Sequence, residues 1–505
     1  MSQQQITQGV EKLPTQIPGM DLVTEGGLPK GRTTLISGTA GSAKTVMACQ
    51  FLVEGIVKSG ENGVFVAFEE SPEYIRTNML GFGWDVAALE EAGQWAFVDA
   101  SPQPNMDAIE AGTYDLGALI ARIEHAVNKV NASRLSLDSL GAIFSQFTDG
   151  GIIRRELFRI STALKNMGVT AILTAERTEE FGEIARFGVE EFVTDNVIIL
   201  RNALEHGTRR RTMEILKFRG TGHQKGEYPF TIIPNEGVVV LPLDGLGLKH
   251  SSSNIRISSG VDEMDKICGG GFFRDSVSLV SGATGTGKTL TSTHFVHAGA
   301  NSGERCLFFA FEENVEQLVR NATGWGIDFN QMIERDLLHI VAEYPEVMGL
   351  EDHLVRIRSA ISEFQPSRVV VDTLSALERV STVKSFREFV IGLTSFIKHQ
   401  KIAGLFTSTT PSLMGGTSIT EAHISTITDA IILMRYVEVF GEMRRGITVL
   451  KMRGSMHDKE IREFTIDNQG MHIGKPFRGI TGIMSGNPMY IPPSDISRFD
   501  NMFTE

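Results

Sequence analysis

Along the chain, short continuous apolar runs alternate with stretches whose apolar residues recur every three or four positions. Val64-Phe65-Val66-Ala67-Phe68, Val169-Thr170-Ala171-Ile172-Leu173-Thr174, Val277-Ser278-Leu279-Val280-Ser281 and Arg368-Val369-Val370-Val371 are too short for helices and read as buried strands. Segments 154–167 and 386–400 carry the helical spacing, and each precedes a strand, 169–174 and 402–407. Apolar strands separated by amphipathic helices predict an α/β fold whose sheet is mostly parallel and covered on both faces. Ligands then sit at the carboxyl ends of the strands.

The pattern is written twice. Gly26-Gly27-Leu28 through Ser37-Gly38 is answered by Gly269-Gly270-Gly271 through Ser281-Gly282. The runs ending in Glu69-Glu70, Asp138 and Lys217-Phe218-Arg219 are answered, in the same order, by those ending in Glu312-Glu313, Asp372 and Lys451-Met452-Arg453. A unit this long is a duplicated domain, because solenoid repeats run about 20–50 residues. The reading places one domain over 1–244, a linker rich in Gly, Ser, Lys and His over 245–258, a second domain over 259–475 and an irregular tail over 476–505.

Each copy carries a phosphate-binding loop. Gly282-Ala283-Thr284-Gly285-Thr286-Gly287-Lys288-Thr289 fits glycine, four variable residues, then Gly-Lys-Thr, between a strand and a helix. Its twin, Gly38-Thr39-Ala40-Gly41-Ser42-Ala43-Lys44-Thr45, has Ala43 where glycine is usual. Such a loop turns its N–H groups toward phosphates at a helix N-terminus. The lysine reaches the β- and γ-phosphates, and Thr45 or Thr289 holds Mg²⁺.

Asp138 and Asp372 each end a strand, where a carboxylate holds Mg²⁺ directly or through water. An aspartate there also serves as a helix cap, but its recurrence downstream of both loops favours the metal role. Glu69-Glu70 and Glu312-Glu313 are the candidate bases for activating an attacking oxygen. Lys217/Arg219 and Lys451/Arg453 space two cations for one face of an extended chain, suited to a γ-phosphate offered by a neighbouring subunit. A solvated basic edge is the plainer reading. One further difference separates the copies. Glu191-Phe192 in the first aligns with Ser425-Thr426 in the second, so only the second offers hydroxyl acceptors there. Ordinary hydroxyl residues in a strand-rich segment would look the same.

Composition narrows the class. The chain has 505 residues, 41% of them hydrophobic, and a net charge of −13, which disfavours extended contact with a phosphate backbone. No apolar run is long enough to span a bilayer, and the first residues lack a secretory pattern. Cys49, Cys268 and Cys306 have no metal-ligand spacing and read as reduced residues in or near the core of a cytoplasmic protein.

Several long stretches resemble the KaiC family of cyanobacterial clock proteins. They include Arg154-Arg155-Glu156-Leu157-Phe158-Arg159, Arg186-Phe187-Gly188-Val189-Glu190-Glu191-Phe192-Val193, Lys225-Gly226-Glu227-Tyr228-Pro229-Phe230, Gly349-Leu350-Glu351-Asp352-His353 and His423-Ile424-Ser425-Thr426-Ile427-Thr428-Asp429. The resemblance implies two tandem RecA-like P-loop domains and an ATP-dependent homohexamer with nucleotide between subunits. It implies slow ATP hydrolysis in the first domain and autophosphorylation of Ser425 and Thr426 in the second. Glu69 and Glu312 match the bases, and Thr289 with Glu312 the Mg²⁺ ligands. Trp325 matches the residue near adenine. Arg379, Arg445, Lys451 and Arg453 match further surroundings of nucleotide or phosphosite, and the nucleotide contacts extend to Phe218, Thr221, His223, Met452, Ser455 and His457. Thr420 matches a third hydroxyl.

Departures from the family pattern bear on partners. Met456 stands in place of a tryptophan, and the tail carries Pro492-Pro493 where clock members carry the segment that KaiA recognises. This disfavours KaiA as a partner. A KaiB-like protein stays open, since Tyr114-Asp115-Leu116 resembles the matching region in part. The leading expectation is an ATPase and Ser/Thr autokinase. The alternatives are a RecA-type DNA-dependent ATPase and a scaffold assembled by nucleotide without kinase activity.

Overall fold

The computed structural model describes residues 9–100, 116–144, 149–186, 188, 190–205, 207–242, 253–410, 424–484 and 489–490. Tyr114, Asp115, Phe187, Val189, Thr420, His423 and the tail from 491 onward lie outside them. The chain divides into two compact units, Met1–Gly245 and Leu246–Glu505.

Each unit is built on a nine-stranded sheet with one common strand order. In the first, Trp95–Asp99 lies at one edge, followed by Gly63–Ala67, Arg134–Asp138, Thr170–Glu176, Thr33–Gly38 and Asn196–Glu205, all parallel. Thr208–Phe218, Glu227–Ile233 and Gly237–Val240 complete the sheet as an antiparallel meander. The second sheet repeats this with Leu338–Ala342, Cys306–Ala310, Arg368–Asp372, Ala403–Thr409, Val277–Gly282 and Ala430–Val439, then Glu442–Met452, Arg462–Asp467 and Gly470–Pro476. The expectation of a mostly parallel, helix-covered sheet is met, and these are two RecA-like domains.

Burial explains the strand pattern. Val277–Gly282 and Thr33–Gly38 are buried at every position because helices cover both faces, so no polar alternation survives. Each fully buried Val, Leu or Phe adds ~1.5–3 kcal/mol to this core. Helix Gly150–Asn166 begins four residues before the expected start, where Asp149 accepts a hydrogen bond from Gly151 N at 2.7 Å. Helix Val383–His399 likewise begins at a capping box between Thr382 and Ser385. All three cysteines are buried and unbridged.

Two guanidinium groups are part of the cores. Arg134 and Arg368 open equivalent strands and are 0% and 2% exposed. Arg134 donates to Glu61 and to the carbonyls of Pro14, Thr15 and Phe51. Arg368 donates to Glu304, Ser258 O and Phe295 O. Full hydrogen bonding is what makes a buried charge tolerable.

Candidate nucleotide sites

In each unit the central strand ends in glycine, the phosphate loop turns, and a helix starts at its lysine: Lys44–Ser59 and Lys288–Asn301. The residue before the lysine is left-handed in both, with φ 73° at Ala43 and 109° at Gly287. Alanine therefore carries strain in the first loop that glycine avoids in the second. A side chain at 287 would also lie 3.0 Å from Ile466. Lys44 Nζ folds back onto Gly38 O and Thr39 O, both at 2.9 Å, and Lys288 Nζ onto Gly282 O and Ala283 O, both at 3.0 Å. Burial lowers both lysine pKa values, with Asp138 or Asp372 opposing it. The lysines thus stand over the loop at the position a phosphate would take.

Behind each loop lies a buried aspartate. Thr45 donates to Asp138 at 2.6 Å, and Thr174 donates to its other oxygen. Thr289 and Thr407 bond Asp372 in the same way. Burial raises both carboxyl pKa values, while these hydroxyls and the loop lysine oppose the rise. Mg²⁺ asks for one or two protein oxygens alongside nucleotide phosphates and water. An all-oxygen set of hydroxyl and buried carboxylate beside the loop fits that demand.

The two glutamates of each pair go separate ways. The strands end at Ala67 and Ala310, so both pairs lie in the bends beyond. Strand alternation does not govern them. Glu69 accepts from the Ser139 hydroxyl, whereas Glu70 accepts from Asn78 Nδ2 at 3.1 Å. Glu312 is paired with Arg379 at 2.9 Å, whereas Glu313 accepts from Asn321 Nδ2 at 3.2 Å. In both units the second glutamate is thereby turned toward the following helix. Burial, and then Asp372, raise the Glu313 pKa.

The Lys-x-Arg pairs sit at the amino-terminal end of the parallel strands, opposite the end that carries their own loops. A bulge shifts the register just before Lys217 and Lys451. Lys217 Nζ donates to Glu191 O and Thr194 O, and Arg219 lies 3.8 Å from Asp195. In the second unit Lys451 Nζ donates to Thr428 O at 2.6 Å and Arg453 to Thr426 O at 2.7 Å. Burial, then the neighbouring arginine, lower the lysine pKa in each pair. Residues Ile424–Thr426 form a 3₁₀ turn, and Thr426 is exposed. Asp429 N bonds Val277 O at the start of the loop strand, while the loop follows Gly282 at its end. Five residues of strand therefore separate the levels, roughly 16 Å.

The remaining predicted residues divide between the two edges. Arg445 pairs in register with Tyr436, beyond Gly282 on the loop side, with its guanidinium 5.8 Å from the Tyr436 ring. Trp325 follows helix Val315–Gly324 and is half-buried. The Phe218 and His223 rings meet at 5.6 Å with their planes tilted by 59°, and Thr221 between them is half-buried. Met452 is buried, Ser455 accepts from Arg256 at 2.6 Å, and Met456 is 91% exposed before the half-buried His457. Gly41, Thr284 and Gly285 are exposed at the loop crests, and Ser42 and Thr286 are buried, each donating to a loop carbonyl.

Some neighbours of the loops were not singled out in the sequence. Tyr436 packs so close to Gly285 that a side chain there would meet its hydroxyl at 2.8 Å. Arg211 donates to Gly41 O at 3.3 Å, and Glu180 accepts from Thr39 and from Asn202 N. The alignment of Asn202 with Tyr436, each seven residues after the aligned Asp195 and Asp429, was the signal available.

Two tandem RecA-like units, each joining a phosphate loop to a buried aspartate, define a two-site P-loop ATPase. The KaiC ATPase family model matches residues 13–245 and again 257–477. The chain is 66% identical over 501 residues, 99% of both chains, to the circadian clock protein KaiC3 of Synechocystis sp.. It is 55% identical over 482 residues, 95% of this chain and 92% of the relative, to the circadian clock oscillator protein KaiC of Thermostichus vulcanus. The chain belongs to the KaiC family. Among the described residues no helix is long and apolar enough to cross a membrane.

Proposed function

We propose that this chain is a cytoplasmic ATPase and Ser/Thr autokinase that works as a homohexameric ring, in or beside a circadian clock. ATP would lie between subunits. One subunit contributes its phosphate loop, and the next its Lys-x-Arg edge. The observation that carries this reading is the placement of the two edges. Thr426, Lys451 and Arg453 share one end of the sheet and the loop Gly282–Thr289 the other. A chain's own loop cannot serve its own acceptor, and a neighbour's can.

In the second unit the Ser425 or Thr426 hydroxyl oxygen attacks the γ-phosphorus as the bond to the ADP oxygen breaks, and the hydroxyl proton passes to Glu312. Lys288 and the partner's Lys-x-Arg cations offset the charge on the transferring group. Mg²⁺, held by Thr289, Asp372 and Glu312, would neutralise phosphate charge, as would Thr45 and Asp138 in the first unit. There Phe192 replaces the hydroxyl, Glu69 faces water, and hydrolysis follows. Glu70 and Glu313 orient their neighbours from the helix side. A KaiB-like protein is the fitting partner.

Mixing two variants tests the reading. Lys288→Ala removes the loop cation, and S425A/T426A removes the acceptors. Incubated separately with Mg·ATP, neither should label at 425 or 426. Mixed and allowed to exchange subunits, they should place phosphate on the Lys288→Ala chain. Labelling of the wild type combined with none in the mixture overturns transfer between subunits.

A further inference from the structure

The two candidate bases are held by different chemistry, although the units share one strand order. Glu69 accepts from Ser139, a neutral hydroxyl directly after Asp138. In the second unit Thr373 occupies that position, but its hydroxyl donates to Thr407 O at 3.0 Å and accepts from Ser375 N at 3.4 Å. Glu312 is held instead by Arg379, at the end of helix Leu374–Arg379. The first unit has Ser145 at the aligned position, outside the described residues. Among the described residues, the base's partner is thus a hydroxyl in the first unit and a guanidinium, from a different position, in the second.

Stability does not account for the pair. Arg379 is 58% exposed and Glu312 45%. Exposed pairs of this kind contribute about 0–1 kcal/mol. What the guanidinium does supply is a charged donor at one fixed point, its Nη2 bonding Glu312 Oε1 at 2.9 Å. A carboxylate held on one side can accept a proton only from an oxygen arriving on the other. Water has no fixed approach of its own, and a base acts on it only where the base itself points. A hydroxyl on a protein turn is delivered to the γ-phosphorus by its own backbone.

The geometry points to Arg379 as a positioning residue that restrains Glu312 from activating water, so that the second site transfers its phosphoryl group to a hydroxyl rather than to solvent. This rests on the reading of Glu312 as the base of an autokinase. Both outcomes balance with the same parts. Either a hydroxyl oxygen or a water oxygen bonds to the γ-phosphorus, the bond to the ADP oxygen breaks, and the attacking oxygen's proton passes to Glu312. Arg379 touches neither attacking oxygen and acts by fixing the carboxylate.

Arg379→Ser, which restores the first unit's residue, tests this in a chain whose first site is silenced by Glu69→Gln. Phosphate released and phosphate placed on 425 and 426 are counted in the same reaction with radiolabelled ATP. The ratio of release to transfer is expected to rise at least fivefold in Arg379→Ser and to return toward the parent in Arg379→Lys. A merely structural role would lower both products together and leave the ratio unchanged. An unchanged ratio in both variants overturns the inference. Should Arg379→Ser fail to assemble with ATP, Arg379→Gln decides in its place, because loss of the charged partner must raise the ratio. If the parent labels neither residue while retaining nucleotide, the autokinase reading fails instead, independently of Arg379.

Discussion

A titratable latch holds the last strands of the second unit to its phosphate-loop helix. His294, buried on that helix, accepts at Nε2 from Met471 N at 3.2 Å. Gly470 permits the approach, since a side chain there would lie 2.4 Å from the ring. Gln50 takes the same place in the first unit, accepting from Val238 N at 2.7 Å and donating to Glu236 O and Val238 O. Burial, reinforced by His297 on the same helix and His472 on the packed strand, lowers His294 to about 4 from the ordinary 6.5. Asp467 pairs with His472 at 3.0 Å and is the nearby carboxylate. The folded form therefore binds its proton less readily than the unfolded form. This contribution is complete above pH 6.5 and is lost as pH falls toward 4. The full shift is worth about 3 kcal/mol, of which about 2 kcal/mol is gone at pH 5. His294→Gln transplants the first unit's solution and removes the titration. In a urea series read by pulsed hydrogen exchange of peptides covering 288–301 and 470–476, the wild type should lose about 2 kcal/mol more than the variant between pH 7.5 and 5. Equal losses in the two proteins would refute the latch.

The loops and the buried arginines give two further expectations. Ala43→Gly relieves a left-handed alanine but frees the unfolded chain, so the first unit's stability should change by less than about 1 kcal/mol. Gly287→Ala introduces the strain and a 3.0 Å contact with Ile466, so the second unit should lose about 1–2 kcal/mol, seen as a lower melting transition by calorimetry. Arg134→Ala leaves three backbone carbonyls and Glu61 without their donor and should destabilise the first unit by about 3–5 kcal/mol in urea unfolding. Glu61→Gln keeps an acceptor and should lose less than half as much.

The phosphate loops, the strand-helix alternation and the duplication were legible because each is local, or repeats a local pattern. The placement of functional residues along the sheet was not. Lys217 and Lys451 follow the same kind of apolar run as Asp138 and Asp372, yet they lie at the other end of the parallel strands because their own strands run antiparallel. Strand direction is set by the connection, and a hairpin that spans Glu205 to Thr208 looks like any polar turn. The division of the glutamate pairs was hidden for a related reason. It depends on Asn78, Asn321, Ser139 and Arg379, which reach the pairs from other segments. Arg134 and Arg368 were visible as repeated strand openers, but nothing local marks an arginine as buried.

Around the candidate reacting atoms, three differences between the copies fall on the partners of shared parts. Both units keep a loop lysine folded on its own carbonyls, a threonine on a buried aspartate and a Lys-x-Arg pair on the far edge. What differs is Ala43 against Gly287, Ser139 against Arg379 as the glutamate's partner, and Phe192 against Thr426 beside the far-edge cations. Each difference lies where a reacting atom would be bound, steered or accepted, and none lies in the sheet that carries them. The proposed function has one duplicated scaffold passing the same phosphoryl group to two acceptors. On the function proposed above, the unit with a neutral partner for its base and no hydroxyl opposite would be left with water, and the unit whose base is paired with Arg379 would transfer to protein. Exchanging only Ser425 and Thr426 for the first unit's Glu and Phe is therefore expected to abolish labelling without raising hydrolysis to the first unit's rate, because Arg379 still bonds Glu312. Phosphate release from that variant rising to the first unit's rate would show that the acceptor alone sets the outcome.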